Sequence, residues 1–549
     1  MYLKPLLVIT LDLTTVEELP SAQQRIYVLS VAQVSIDVVA ADRIEKLHDI
    51  HHFQTSKRLS FPITFYSEND DNGGIYPPPI ILNRLIQALH RGNHKLILRK
   101  WKQGARWWNL NMNNPTDASS ETTDNNNNNN TLAMARAEVA GYRLAKLAMN
   151  HHSQQLYNSK KRKISAYVPD VVYFSHDDND SVDMEGAPWA LFSYFGSNIT
   201  EEVLNQDENE VRDMDINIIN DSTLNWDLKK VMSVAKAPQY NIPSFQHNHP
   251  IECKHYSSTM TKIRHEFGFD EPHPRHGRVP INECSDYAHM ILRDVVLPVQ
   301  FSFFEWSSSS SSIQPSVNGM EWKHSLCALA VDSQTPKPFQ YHDMIAVYRL
   351  ALQRLSSAFQ NAAIDDERMD ALLQMMHECV VALEHEWDGN DNRLPPPLPA
   401  VVCHMDLQPQ NLTFWHDRND SEKDGNVNVH DSKHCSVASV MDFEEAAYAD
   451  PRFEVLLICR KVLANLEQAQ ELWKSYSSSV KLQTTWDVGP IEPWLRLETV
   501  HSLFTLLLQA NNLLGGGRNP WETKPDLWGK IDRERMRLAR MGWSFCSEG

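Results

Sequence analysis

Two short apolar runs interrupt a C-terminal half whose pattern is otherwise helical, and polar residues follow each run. The first opens residues 401–414 (VVCHMDLQPQNLTF) and is followed by His404, Asp406 and Asn411. The second covers residues 437–441 and is followed directly by Asp442. Short apolar runs bounded by turn residues are typical of buried strands. The pattern therefore predicts two strands, one followed by a His-x-Asp-x-x-x-x-Asn loop and the other by a further aspartate.

Strand patterns precede helical patterns along the chain. Residues 95–101 (KLILRKW), 167–174 and 189–195 predict short strands, and residues 26–39 alternate enough to form one. Helical spacing is found at residues 134–149, 284–303, 342–358, 365–385, 452–472 and 491–514. Strands first and helices later predict an α+β protein with a small β-rich N-lobe and a larger helical C-lobe.

Five polar stretches gain too little from apolar burial to offset the entropy of ordering them. We interpret them as low-complexity surface insertions, because patterned sequence resumes after each. They are residues 109–131, which contain six consecutive asparagines, 176–186, 201–215, 307–312 and 417–436.

Composition excludes several classes of function. The 549 residues carry a formal net charge of −18, so a general binder of nucleic acid or anionic membrane is not expected. Only 19 residues are glycine, and neither G-x-G-x-x-G nor G-x-x-x-x-G-K-[ST] is present. The eight cysteines are scattered, and no apolar run approaches the roughly 20 residues of a membrane helix. A reduced cytoplasmic location is expected.

The polar residues after the two apolar runs fit the needs of phosphoryl transfer. That reaction needs a carboxylate that accepts the proton of an attacking hydroxyl, and hard oxygen ligands for Mg²⁺. Asp406 fits the base, Asn411 and Asp442 fit the metal ligands, and His404 would brace the loop. The alternative is that Asp406 and Asn411 are ordinary turn residues after a strand.

These segments resemble the aminoglycoside phosphotransferase and choline kinase-like family, which has the protein-kinase-like fold. Residues 403–411 (CHMDLQPQN) resemble its catalytic loop. Within this loop, Gln408 resembles the residue at the same position in choline and ethanolamine kinases. Residues 441–444 (MDFE), followed by Ala-Asp-Pro at 449–451, resemble its metal-binding strand. Glu454 stands where the family usually has aspartate. Asp-Phe-Gly and Ala-Pro-Glu are not present at the protein-kinase positions, which favours a small-molecule acceptor.

The resemblance implies further site residues. Arg99, with Lys100 as the alternative on the opposite face of the strand, would contact nucleotide phosphates and pair with Glu138. Solvated charges are the alternative for both Arg99 and Glu138. Gly73 and Gly74, continued at residues 83–85, resemble the phosphate-covering loop. The backbone of Ser193, Tyr194 and Phe195 would contact adenine.

The resemblance also divides the chain and indicates its reaction. Residues 1–70 stay unassigned, residues 71–196 form the N-lobe with the asparagine-rich insertion, and residues 197–549 form the C-lobe. The C-lobe contains the catalytic loop, 401–414, and the metal-binding strand, 437–445. The implied reaction is ATP- and Mg²⁺-dependent phosphorylation of a small hydroxylated acceptor of the aminoglycoside, choline, ethanolamine or sugar type. An inactive nucleotide-binding scaffold and an unusual protein kinase are the alternatives.

Overall fold

The computed structural model divides into two compact units, formed by residues 1–105 with 169–249 and by residues 106–168 with 250–549. We call them the sheet unit and the helical unit. The residues that the structure describes are 6–19, 24–39, 53–63, 80–91, 94–101, 123–158, 166–176, 187–194, 281–308, 341–361, 367–388, 396–407, 411–416, 435–463, 466–515 and 519–546.

The sheet unit contains six strands in the order β3-β1-β2-β4-β6-β5, with every neighbouring pair antiparallel. The strands are β1 (Leu6–Leu19), β2 (Gln24–Val39), β3 (Arg58–Ile63), β4 (Lys95–Trp101), β5 (Val171–Phe174) and β6 (Trp189–Ser193). Helix α1 (Phe53–Ser56) precedes β3, and helix α2 (Ile80–Arg91) packs against β4, β5 and β6.

Half of this sheet comes from the region that the sequence pattern left unassigned. Strands β1 and β2 form a long hairpin, and β3 pairs with the other edge of β1. Ile9 and Leu11 alternate with more polar residues along β1, so they lie in the core of this unit with Phe61 of β3. Residues 83–85, expected to continue a glycine loop, instead lie inside helix α2, whose Leu85 and Leu89 are buried.

The helical unit contains most of the described helices. They are α3 (Thr123–Asn158), α4 (Ile281–Ile291), α5 (Leu297–Ser308), α6 (Tyr341–Asn361), α7 (Glu367–Asp388), α8 (Arg452–Lys461), α9 (Leu466–Gln483), α10 (Glu492–Gly515), α11 (Pro520–Thr523) and α12 (Asp526–Arg540). The α+β class predicted from the sequence is confirmed. The predicted helix 452–472 is instead two helices, α8 and α9. Among the described helices, none is long and apolar enough to cross a membrane.

Helix α3 begins earlier than the sequence pattern indicates. It starts at Thr123, so the six asparagines interpreted as a surface insertion are helical. The side chain of Thr131, the last residue of that predicted insertion, is 1% exposed. Asparagine has a low intrinsic helix propensity, but tertiary packing of a neighbouring amphipathic stretch overrides it. Residues 123–131 are therefore helical, which the sequence pattern did not indicate.

Two small antiparallel sheets in the helical unit carry the polar residues singled out above. Strand β7 (Val401–Cys403) pairs with β10 (Ala447–Ala449), and β8 (Leu412–His416) pairs with β9 (Cys435–Val440). All three residues of β7 are buried, as expected for a strand in a core. The loop after β7 and the end of β9 form the candidate site.

Candidate functional site

The loop after β7 is held by a buried glutamate. Glu454 lies in the first turn of α8, where the helix dipole favours negative charge, and its side chain is 4% exposed. Its carboxylate accepts the backbone N–H of His404 and, at 3.3 Å from each oxygen, that of Met405. Met405 has a φ of 65°, in the left-handed region that non-glycine residues rarely adopt. The hydrogen bonds to Glu454 thus offset the cost of the left-handed geometry at Met405, where the chain leaves β7.

The ring of His404 links the loop to the end of β9. Its Nε2 lies 2.8 Å from the carbonyl oxygen of Met441, and its Nδ1 accepts the backbone N–H of Asp406 at 3.2 Å. Because Nδ1 accepts, the proton of the neutral ring belongs on Nε2 and is donated to Met441. The histidine therefore fixes the backbone at Asp406, two residues further on.

Asp406 and Asn411 are joined across the loop. The side-chain Nδ2 of Asn411 donates to the backbone carbonyl of Asp406 at 2.9 Å and to its carboxylate Oδ2 at 2.8 Å. Asn411 is buried, whereas Asp406 is partly accessible. A buried donor thus holds the rotamer of an accessible carboxylate, as expected for a group positioned to act on a substrate.

Asp442 lies at the same end of the β8–β9 hairpin as Asn411. The backbone N–H of Met441 donates to the Asn411 carbonyl at 2.9 Å, which places Asp442 directly after this pairing. Asp442 has a φ of 67°, and its N–H donates to the hydroxyl of Tyr142 at 2.8 Å. Helix α3 therefore supports the second left-handed residue of the site.

Aromatic rings pack behind the loop. The ring of Phe443 lies 4.5 Å from that of Tyr142 and 4.4 Å from that of His404, measured between centroids. Gly141 lets helix α3 approach closely, since a Cβ there would lie 2.8 Å from the Cβ of Ala446. A small, mainly apolar cavity of about 20 Å³ remains beside His404 and Glu454. These contacts tie helix α3 to the loops that carry Asp406 and Asp442.

A buried ion pair anchors the end of β10. Asp450 and Arg452 are each 1% exposed, and the guanidinium contacts both carboxylate oxygens, at 2.9 Å from Nε and 2.6 Å from Nη2. Asp450 also accepts the backbone N–H of Leu398, and Arg452 lies 4.6 Å from the Trp494 ring centroid. The pair joins the segment before β7 to the start of α8, and so fixes the base of the loop.

The candidate nucleotide residues of the sheet unit lie on β4 and at the end of β6. Arg99 is 7% exposed, with its Cζ 6.0 Å from the Trp101 ring centroid, while Lys100 is half-buried. The backbone N–H of Ser193 donates to the Asp170 carbonyl, so this donor is already engaged within the sheet. The Tyr194 ring lies 5.4 Å from the ammonium of Lys95.

Of the other predicted site residues, one lies on a described helix and the rest lie outside the described residues. Glu138 lies on α3 in the helical unit and is 1% exposed, so the alternative of a solvent-facing acid is wrong. Gly73, Gly74, Phe195 and Gln408 lie outside the described residues.

The donor atoms at the hairpin end fit a hard divalent cation. The Nδ2 of Asn411 is engaged by Asp406, and its Oδ1 accepts no hydrogen bond from the residues that the structure describes. The carboxylate of Asp442 would add a second oxygen ligand, the donor type that Mg²⁺ prefers. Mg²⁺ is usually bound by one or two protein groups together with substrate phosphates and water. The described residues include no group of three or more His, Cys, Asp or Glu side chains placed to hold a metal.

Tyr142 was not assigned a role from the sequence, and the extra methylene of Glu454 left open whether it braces the catalytic loop. Tyr142 was recognised only as part of a helix, although it follows Glu138 by four residues and so shares its helix face. That spacing was the available signal. Glu454 was noted for its position after Asp-Pro, but its hydrogen bonds to the loop depend on contacts about fifty residues apart in sequence.

Comparison with known proteins gives structural likeness alone. No protein-family model and no curated protein matches the sequence. The GDP and kanamycin complex of APH(2")-IIia is 10% identical, with a TM-score of 0.35 and coverage of 96% of this chain and 94% of that one. A proposed aminoglycoside phosphotransferase from Ralstonia eutropha JMP134 is 9% identical, with a TM-score of 0.34 and coverage of 97% and 92%. The streptomycin–ATP–APH(2")-IIa complex is 9% identical, with a TM-score of 0.32 and coverage of 94% of each chain. Likeness at this level does not establish a shared function, so the function is argued from the geometry of the site.

Proposed function

We propose that the protein is a phosphotransferase that moves the γ-phosphoryl group of ATP to a hydroxyl of a small molecule. The observation that carries the proposal is the double hydrogen bond from the Asn411 amide to Asp406, made at the hairpin end that also presents Asp442. It groups an accessible carboxylate with two hard oxygen donors, which is what a base beside a metal-bound phosphate requires.

In this proposal Asp406 is the catalytic base. As the acceptor oxygen forms its bond to the γ-phosphorus, the acceptor proton passes to the Asp406 carboxylate. The bond from the γ-phosphorus to the β–γ bridging oxygen breaks, and ADP leaves with that electron pair. Asn411 keeps the carboxylate in one rotamer, and His404 keeps the backbone of Asp406 in place. The contribution of the protein is therefore mainly positioning.

The remaining assignments concern the nucleotide. Asn411 and Asp442 would hold Mg²⁺, which supplies neutralisation of the phosphate charge when bound. Arg99, or Lys100 from the opposite face of β4, would contact the phosphates. The backbone N–H of Ser193 already donates to the carbonyl of Asp170. Tyr194 is therefore a better candidate than Ser193 for a backbone contact with adenine.

The test is ADP release from the purified full chain with Mg²⁺-ATP and a panel of aminoglycosides, amino alcohols and sugars. We expect at least one acceptor to stimulate release. Asp406→Asn should lower that rate by roughly 100-fold or more, because general-base catalysis typically contributes 10² to 10⁴. The matched control is Asp526→Asn, whose carboxylate is exposed on α12 and paired with Lys530. It should release ADP at the wild-type rate.

Thermal stabilisation by ATP, with and without Mg²⁺, separates the alternatives. A Mg²⁺-dependent shift without ADP release for any acceptor would favour an inactive nucleotide-binding protein. Phosphate incorporation into protein substrates, lost in Asp406→Asn, would favour a protein kinase. Acceptor-stimulated release that is unchanged in Asp406→Asn would contradict the assignment of the base.

A further inference from the structure

A π-helical turn interrupts one long helix of the helical unit. Residues Leu292–Val296 form this turn between α4 and α5, and the N–H of Leu297 donates to the carbonyl of Leu292, five residues back. Pro298 follows at once. A proline has no N–H, and its ring clashes with the carbonyl four residues earlier in an α-helix, here that of Asp294. The wider turn relieves this clash.

The π-helical turn places the buried carboxylate of Asp294 against strand β9. The side chain of Asp294 is 1% exposed, and its Oδ2 accepts the backbone N–H of Val437 at 3.1 Å. Arg293 binds the same carboxylate with two hydrogen bonds, from Nε at 2.6 Å and from Nη2 at 2.7 Å. A buried charge is costly unless it is paired and hydrogen-bonded, and Asp294 is both.

Asp294 meets β9 where the strand is irregular. Thr413 pairs with Ser439 and Phe414 with Val437, so residue 438 has no opposite partner in β8. Such a bulge breaks the ladder locally and bends the strand. Asp294 supplies the acceptor for the N–H next to the extra residue. The strand then continues through Val440 to Met441 and Asp442.

We propose that Asp294 is a positioning residue for the divalent cation. It fixes the bulge in β9, and this bulge determines where Asp442 lies relative to Asn411. The inference rests on the proposed function and adds to it a residue outside the catalytic loop. The carboxylate acts through the strand, and Arg293 keeps it oriented. Groups behind metal ligands commonly change metal affinity by 10- to 100-fold when they are replaced.

The test measures Mg²⁺ affinity on the full chain without turnover. The melting temperature is followed at fixed ATP while Mg²⁺ is titrated, and deuterium exchange of the peptide 435–442 is followed by mass spectrometry. Asp294→Leu has similar size and no acceptor, so the Mg²⁺ midpoint should rise roughly tenfold and the peptide should exchange faster. Asp294→Asn keeps an acceptor oxygen for Val437 and should restore most of the affinity. Asp286→Asn, exposed on the same helix, is the matched control and should behave as wild type.

If Asp294→Leu does not fold, Arg293→Gln tests the same inference. Arg293 is 48% exposed, so this variant should fold, remove the ion pair with Asp294 and give a smaller rise of the midpoint. A lower melting temperature with unchanged Mg²⁺ midpoints in these variants would overturn the inference, since it would mean a purely structural role. A wild-type protein without any Mg²⁺-dependent shift would instead overturn the proposed function, and this inference with it.

Discussion

Glu454 and Met405 are joined by a hydrogen bond in which both carboxylate oxygens lie 3.3 Å from the backbone nitrogen. Met405 has left-handed backbone geometry, and Glu454 is buried at the start of a helix 49 residues further along the chain. Because the same carboxylate also accepts the N–H of His404, one side chain determines the direction in which the chain leaves β7. The position of Asp406 therefore depends on Glu454.

Glu454→Gln should destabilise the protein by about 2 kcal/mol, because a buried hydrogen bond to a charged acceptor is worth roughly 1.5–3 kcal/mol. Urea denaturation gives the free energy of unfolding. Glu467 occupies the first turn of the next helix, α9, and is exposed, so Glu467→Gln is the matched control and should change stability by less than about 0.5 kcal/mol. Equal losses in the two variants would mean that the loop does not depend on Glu454.

Tyr142→Phe should cost about 1–3 kcal/mol, since the partly buried N–H of Asp442 loses its acceptor while the ring packing is kept. Chemical denaturation measures the loss. Tyr448 is the control, because its hydroxyl makes no hydrogen bond with the described residues and it lies in neighbouring strand β10. Tyr448→Phe should be nearly neutral. A neutral Tyr142→Phe would show that α3 does not hold Asp442 through this hydroxyl.

Gly141→Ala should destabilise the protein although alanine is the better helix former. A Cβ at 2.8 Å from that of Ala446 forces a backbone shift, which typically costs about 1–3 kcal/mol. Gly529 lies within helix α12, where a Cβ would meet only the end of the Arg533 side chain at 3.8 Å. Gly529→Ala should therefore stabilise by about 0.5–1 kcal/mol. Opposite signs in denaturation midpoints are expected, and stabilisation by both substitutions would contradict the close packing at Gly141.

Local pattern predicted those parts of the molecule whose signal lies in adjacent residues. Strand β4 has the predicted bounds, because KLILRKW contains a short apolar run that is followed by charged residues. The His-x-Asp-x-x-x-x-Asn loop was recognised from its residue spacing, and the hydrogen bonds within it join residues two and five apart. The pairing of β3 with β1 had no such signal, since its register joins residues about fifty apart.

Tertiary contacts decided the features that the sequence did not reveal. Tyr142 and Asp442 are 300 residues apart, and nothing in either segment indicates that they meet. The asparagine run has low helix propensity, yet it belongs to a helix whose later turns are buried. Pro298 indicates an interruption of the helix. The sequence does not indicate that Asp294, beside this interruption, accepts a hydrogen bond from Val437, because the two residues are 143 apart.

Stability should fall at alkaline pH because burial keeps several acidic groups protonated. Burial raises the pKa of the Cys403 and Cys459 thiols and of the Tyr476 hydroxyl. Unfolded thiols lose their protons near pH 8.5 and phenols near pH 10, so above about pH 8.5 the folded chain holds more protons than the unfolded one. The contribution of these groups to the free energy of unfolding is then constant below that pH and falls above it, by up to about 1.4 kcal/mol per pH unit for each group. Urea denaturation between pH 7 and pH 10 measures the slope, and Cys459→Ala should make it shallower. A slope that is flat to pH 10 would contradict the burial of these groups.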